Sequence, residues 1–188
     1  PPELDDVWLR KSDVVRLVSK TEDGTDVVLA AKAGNNGVSH NHNDIGHFVV
    51  HAGGETLLCD PEKGLYDLYR RHGHDANLFA NSIGHSVPKI ADTPQSKGAA
   101  FGGKILSSEI QEGKKQITME LAGAYVGTNL ESLKRTLTLA GGDLVLEDHF
   151  EFSGARPPVE EAFVTWLDPA IDGATARISG EGQQLELE

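Results

Sequence analysis

The sequence predicts an all-β chain, folded as a large sandwich of two antiparallel sheets with few or short helices. Three observations carry this. Short apolar or alternating runs recur along the chain, Gly, Asn and Asp cluster between them, and a helical period of 3.6 is not sustained. A strand with one face on a core and the other in water alternates apolar and polar residues, as a sandwich requires.

The elements follow in order. Residues 14–18, 27–31, 48–52 and 56–59 read as strands, with Ala52-Gly53-Gly54-Glu55 as a tight hairpin turn between the last two. Residues 65–80 are the one weak candidate for a helix; they begin amphipathic but carry His72-Gly73-His74. Further on, 117–121 alternates, and 133–139, the turn Ala140-Gly141-Gly142-Asp143 and 144–152 make a long hairpin. Residues 159–167 and 185–188 supply further strands. No fixed-period repeat and no Pro- or Ser-rich linker interrupts the chain, so 1–188 is expected to form one domain. Its close on an alternating run without a tail leads us to expect a domain excised from a longer protein.

Composition bounds the function. At 188 residues and 38% hydrophobic, the chain is long enough to bury a core without covalent staples. One cysteine, Cys59, excludes a disulfide framework and a Cys-rich zinc module. Seventeen basic against 29 acidic residues give a net charge of −12, and no basic cluster exceeds a pair, so nucleic acid is not an expected partner. No run of apolar residues is long enough to span a membrane as a helix, and no membrane partner is expected. The opening Pro1-Pro2-Glu3-Leu4 lacks the basic start and apolar run of a signal peptide. Neither a phosphate-binding Gly loop nor a G-x-S-x-G nucleophile elbow is present.

The informative feature is histidine. Seven of eight fall between His40 and His85, and His40-Asn41-His42 sits in a Gly- and Asn-rich stretch. On an extended strand, residues i and i+2 face the same way, so two such imidazoles can converge on a metal. An isolated pair reads as readily as a solvated loop. Asp60 ends the apolar run Thr56-Leu57-Leu58-Cys59, where a carboxylate is costly to bury unless paired or ligated; it can equally start an Asp-Pro turn with Pro61. His85 lies in a polar loop ahead of a strand. Two imidazoles, a carboxylate and an open fourth position make a typical zinc set. Cys59 should face away from Asp60, into the core.

The run Ser39-His40-Asn41-His42-Asn43-Asp44-Ile45-Gly46-His47-Phe48, then Leu57-Leu58-Cys59-Asp60-Pro61 with Tyr66 beyond it, then Asn81-Ser82-Ile83-Gly84-His85, resembles the heparinase II/III family of polysaccharide lyases. The pattern is H-x-H-x-D-x-G-x-F, a hairpin, an aspartate after an apolar strand, and a later histidine. Two departures stand out: His47 where a small or polar residue is usual, and Ser86 where asparagine is common. The resemblance implies a β-sandwich that follows an N-terminal α/α toroid in the same polypeptide. It implies cleavage of uronic-acid polysaccharides by β-elimination. His42, Asp60 and His85 match the metal ligands, with zinc ahead of calcium or another divalent ion, and His40 matches the active-site histidine. The family's tyrosine acid/base and its carboxylate-neutralising asparagine belong to the toroid. The expected partners are therefore an acidic polysaccharide and that toroid, and the expected location is periplasmic or extracellular, with any export signal upstream of Pro1.

Other residues have smaller parts. Tyr66, Arg70 and Arg71 are substrate-binding candidates, with Lys63 a further cation. If this chain acted alone, Tyr66, Tyr69 or Tyr125 would have to supply the acid/base. Asp44 is expected to orient the histidine loop by hydrogen bonds, His72 and His74 to face substrate or solvent, and His51 and His149 to be structural. Trp8 and Trp166 are read as partly buried core. Two other functions are open. Gly34, His40, His42, His47 and Gly54 are spaced like a cupin's first motif, which would give a metal-dependent oxygenase or isomerase, although no second motif follows and Asp60 is unexplained. A non-catalytic carbohydrate-binding or structural sandwich is the third reading.

Overall fold

The computed structural model describes residues 4–61 and 77–188, and among these the chain is built from antiparallel strands and two single 3-10 turns. The first sheet contains β1 (Val7–Leu9), β2 (Val14–Lys20), β3 (Asp26–Lys32), β5 (Phe48–Ala52) and β6 (Glu55–Leu58), in that spatial order. The strand missing from this series, β4 (Gly34–Asn36), belongs to the second sheet. There it lies at the edge beside β8 (Gly98–Gln111), followed by β9 (Lys114–Glu120), β10 (Leu130–Ala140) and β11 (Asp143–Phe152). Two small sheets pair β7 (Lys89–Ile90) with β12 (Val159–Glu160), and β13 (Pro169–Asp172) with β14 (Thr175–Ser179) and β15 (Gln184–Leu187).

Alternation explains which faces meet. In β2 and β3 the buried residues Val15, Leu17, Val27, Leu29 and Ala31 recur every second position. In β9 and β10 the same is true of Ile117, Met119, Leu133 and Leu137. These residues form one cluster, so the two five-stranded sheets pack face to face as a sandwich. The β5–β6 hairpin turns on Gly53 and Gly54, both at positive φ (55° and 91°), which residues with a Cβ adopt reluctantly.

The sheet switch positions the site. After β3 the chain leaves the first sheet, pairs with β8 as β4, and returns as β5. The return path, residues 37–47, is the histidine loop. It crosses from one sheet to the other at the edge of the sandwich.

Several expectations need correcting. Of 159–167 only Val159–Glu160 pairs as a strand. The rest bonds singly to the site loops, Val164 accepting from the Cys59 amide at 2.9 Å and donating to Ser86 Oγ at 3.0 Å. The longest strand among the described residues, β8, is one that sequence alternation misses, since most of its residues are exposed or half-buried. Trp166 is 69% exposed and stacks on Phe79, so it is not core. The candidate helix over 65–80 falls mostly outside the described residues, and 77–80 is a turn.

Candidate metal centre

The histidine loop is fixed from below before any histidine is considered. Gly46 donates to the Lys32 carbonyl at 2.8 Å, and His47 to Asp44 O at 3.0 Å. Buried Gln95 clamps Ile45 from both sides, accepting its N–H at 2.9 Å and donating to its carbonyl at 2.7 Å. Asn43 N–H reaches the Ala80 carbonyl at 2.9 Å, which ties the loop to the segment that carries His85. That segment is a 3-10 turn, Ser82–Gly84, capped by Asn81 at one end and ending on His85. A Cβ on Gly84 would lie 2.1 Å from the Leu78 carbonyl, so the turn closes only with glycine there. Asp60 arrives from the third direction, two residues past the end of β6.

These segments bring side chains together. One ligand atom from each of His42, Asp44, Asp60 and His85 lies within 4.8 Å of the others. His42 Nδ1 is 3.9 Å from Asp60 Oδ1, and the His42 and His85 ring centroids are 5.1 Å apart. A tetrahedral ion with ligands at about 2.0–2.1 Å spaces its donors by roughly 3.3 Å, within reach of side-chain rotation. His85 supplies the test of fit. It is completely buried, and neither ring nitrogen has a hydrogen-bond partner. The Phe79 carbonyl faces the ring without reaching hydrogen-bond geometry. A buried imidazole left with an orphan nitrogen beside two carboxylates suits a cation. Burial also pushes the His85 pKa down, against the pull of Asp44 and Asp60, which keeps the ring in the neutral form that ligates.

Asp44 is both cluster member and orienter. Its Oδ1 accepts from Lys32 Nζ at 2.6 Å, and the same ammonium donates to Asn41 Oδ1 at 2.7 Å. His47 stands behind the cluster, its ring centroid 5.1 Å from that of His85. Burial, then the neighbouring His85, pushes its pKa down to about 3. Its Nδ1 accepts the Ser86 N–H at 2.9 Å. Beneath, fully buried Arg135 donates to the carbonyls of Gly46 (3.1 Å) and Ser86 (2.9 Å), the neighbours of His47 and His85.

His40 takes a different direction. Its φ is 59°, in the left-handed region, and its side chain is exposed, outside the four-residue cluster. It lines a hollow of about 420 Å³ with Asn36, Gly37, Val38, Ser39, Lys97 and Gly98. A cupin-like ligand set is therefore not assembled, because the cluster includes neither His40 nor His47. Tyr66, Tyr69, Arg70, Arg71, Lys63, His72 and His74 lie outside the described residues. Tyr125 is buried, donates to the Pro88 carbonyl at 2.7 Å and has its pKa raised by burial, so it offers no acid/base at a surface. His51 meets Thr56 across the β5–β6 hairpin, and His149 is on the exposed face of β11. The sequence analysis missed Gln95, Arg135 and Lys97, since none belongs to a local motif and each acts across a long sequence separation.

Comparison with known proteins places the chain in a family and a fold. The family model described as "Heparinase II/III-like, C-terminal" matches residues 1–180. No curated protein matches significantly. Among solved structures, heparan sulfate lyase HepC from Pedobacter heparinus superposes with a TM-score of 0.75 at 14% identity, over 98% of this chain and 29% of that one. A heparinase III, the BT4657 gene product, gives 0.75 at 16% identity, over 96% and 27%. Another heparinase III gives 0.65 at 20% identity, over 96% and 28%. The chain thus spans under a third of the length of these lyases.

Proposed function

Because the chain belongs to the heparinase II/III-like C-terminal family, we propose that it is the sandwich portion of a polysaccharide lyase. In this reading the lyase cleaves uronic-acid polysaccharides by β-elimination. His42, Asp60 and His85 hold zinc, with Asp44 beside them, and His40 stands at the reacting sugar. The observation that carries this is the meeting of three sequence-distant segments around His85, a buried imidazole with two orphan nitrogens.

The chemistry divides accordingly. A base removes the proton alpha to the uronate carboxylate, its electron pair forms the ring double bond, and the glycosidic C–O bond on the adjacent carbon breaks. The leaving oxygen takes up a proton. His40 is exposed in a hollow beside a cation, Lys97, where it can accept or donate that proton, while Lys97 attracts the acidic sugar. The zinc would cross-link the histidine loop to the Asp60 and His85 segments. His42, two residues from His40, then transmits that fixity to the catalytic ring.

An N-terminal toroid supplies the remaining groups in this reading, as the short span of the chain on the structurally similar lyases suggests. The 188 residues alone are therefore inactive. A polysaccharide substrate does not cross a membrane unaided, so the enzyme works in the periplasm or outside the cell.

The test uses the full-length protein with heparan sulfate, heparin, chondroitin and alginate, reading the absorbance of the unsaturated product. Turnover on one of these is expected. His40→Ala should lose about 10²–10⁴-fold in rate with zinc content unchanged. His42→Ala should lose zinc first and activity with it. Zinc bound at one per chain but no product from any uronate chain would overturn the lyase reading. Near-normal turnover of His40→Ala would remove His40 from the chemistry.

A further inference from the structure

We propose that His47 is a positioning residue of the metal centre: its Nε2–H holds the outer oxygen of Asp60, and the ring is not itself a ligand. The inference rests on the metal reading above, and the geometry of this one ring carries it further. Ser86 donates its backbone N–H to His47 Nδ1 at 2.9 Å, so Nδ1 presents its lone pair. A neutral imidazole has one ring proton, which then resides on Nε2. That Nε2 is buried and has no hydrogen-bond partner. It faces Asp60 Oδ2 at 3.9 Å, while the other oxygen, Oδ1, faces His42 Nδ1 at 3.9 Å. The two oxygens of one carboxylate are thus divided, one toward the cluster and one toward His47.

Enclosure decides which side closes the gap. The His47 side chain is 4% exposed and pinned by Ser86, whereas the Asp60 side chain is 41% exposed. The carboxylate is therefore the less enclosed of the two groups. A rotation of Asp60 that brings Oδ2 to Nε2 gives a buried N–H its acceptor and fixes the direction of Oδ1.

The rival role, His47 as a ligand, fails on proton placement. To bind a cation through Nε2 the ring would have to carry its proton on Nδ1, setting two N–H donors against each other at 2.9 Å. The set of donor atoms within 4.8 Å of one another likewise comprises His42, Asp44, Asp60 and His85, without His47.

Two substitutions separate the roles, because they keep different halves of the ring. An asparagine amide oxygen can replace Nδ1 as acceptor for Ser86 but falls short of Asp60. A glutamine amide nitrogen can replace Nε2 as donor to Asp60 but gives up Ser86. In the intact protein, His47→Asn should bind zinc about 10–100-fold more weakly in a chelator competition. His47→Gln should stay within a few-fold of the parent. Cobalt(II) spectra of parent and both variants should share band positions and intensity, since no ligand is lost. The proposal is overturned by full affinity in His47→Asn, by equal weakness in both variants, or by a cobalt spectrum that shifts as when an imidazole ligand departs. Imidazole nitrogen NMR of the metal-free protein is a separate arm. A pyridine-like Nδ1 and a pyrrole-like Nε2, with the Nε2–H resonance moving in Asp60→Asn, supports the proposal. A protonated Nδ1 sinks it. If the parent binds neither zinc nor cobalt, the metal reading fails on its own, and the NMR result alone decides whether His47 holds Asp60.

Discussion

Replacing Arg135 should test how the site is supported from beneath. Arg135 on β10 lies directly opposite Asp148 on β11, and its Nε contacts both carboxylate oxygens at 2.9 and 3.1 Å. Its Nη2 donates to Glu161 at 2.9 Å, while Nη1 holds the Gly46 and Ser86 carbonyls. Arg135→Met keeps much of the volume and removes every one of these bonds. Breaking a buried ion pair from one side costs about 3–5 kcal/mol. Each buried carbonyl left without its donor adds about 1–3 kcal/mol. The terms do not add fully, because the stranded Glu161 can take up a proton, so we expect a loss of about 4–6 kcal/mol near pH 8. That is a large share of the roughly 5–15 kcal/mol that stabilises an ordinary domain.

The loss should depend on pH. Glu161, already pushed up to about 7 by burial, loses in Arg135→Met the positive charge that holds it down. A raised carboxyl contributes stability below its unfolded pKa and loses it as pH rises through the folded value. Arg135→Met should therefore be less damaging at pH 5 than at pH 8. Urea unfolding at both pH values measures this. The triple variant Arg135→Met/Asp148→Leu/Glu161→Leu should recover most of the loss, since it removes the uncompensated charge together with its partner. A single-variant loss below about 1 kcal/mol, or a triple variant no better than the single, would refute a buried ionic clamp of the kind that normally costs several kcal/mol to break.

Three further outcomes follow from the structure. Glu161 is pushed up to about 7, first by burial and then by Asp148 against the pull of Arg135, so its contribution fades as pH rises from about 4.5 through 7. Glu161→Gln should flatten the stability profile over that window and gain about 1–3 kcal/mol at pH 8, its side chain being 30% exposed; an unchanged slope in urea melts would contradict this. Gly84→Ala forces a Cβ to within 2.1 Å of the Leu78 carbonyl and should cost about 1–3 kcal/mol while weakening zinc uptake through His85; a neutral thermal shift would show that the turn yields freely. On the lyase reading proposed above, Lys97→Gln in the full-length protein should raise KM several-fold at low salt and converge on the parent at high salt, whereas an equal effect at every ionic strength would remove electrostatic attraction as its role.

Strands were legible where burial is one-sided. β2, β3, β5, much of β10 and β11 follow alternation because one face packs on the opposite sheet, while β6 shows instead as a short apolar run with Leu57 and Leu58 both buried. β8 was not legible, although it is the longest described strand, because two of its features cancel that signal. Its glycines carry no side chain to alternate, and a Cβ on Gly102 would lie 2.1 Å from the Gly34 carbonyl of β4, so close backbone approach selects glycine there. Its pairing with β9 also shifts register between Ile105 and Ser107, which breaks the period of two. The false strand over 159–167 erred the other way. Its apolar residues are real, but past Glu160 its backbone satisfies isolated partners at the site, not a neighbouring strand.

The histidine pair is the instructive case, since its residues were legible and its geometry was not. Two imidazoles at i and i+2 share a face only if the intervening backbone is extended. Here His40 is left-handed, with φ of 59°, and the loop is no strand, so the two rings part. His42 is turned to the cluster with Asp60 and His85, while His40 faces the hollow with Lys97. A strand would have aimed both rings at one ion and left no histidine for a substrate. The positive φ at His40 separates the two roles proposed above, and no local sequence rule announces it; the loop that carries it is held on either side by distant partners, β8 on β4 and Gln95 on Ile45. The same distance in sequence explains why His47 looked like one more histidine of a motif. Its part is set by Ser86, 39 residues away, whose N–H decides which of its two nitrogens carries the proton.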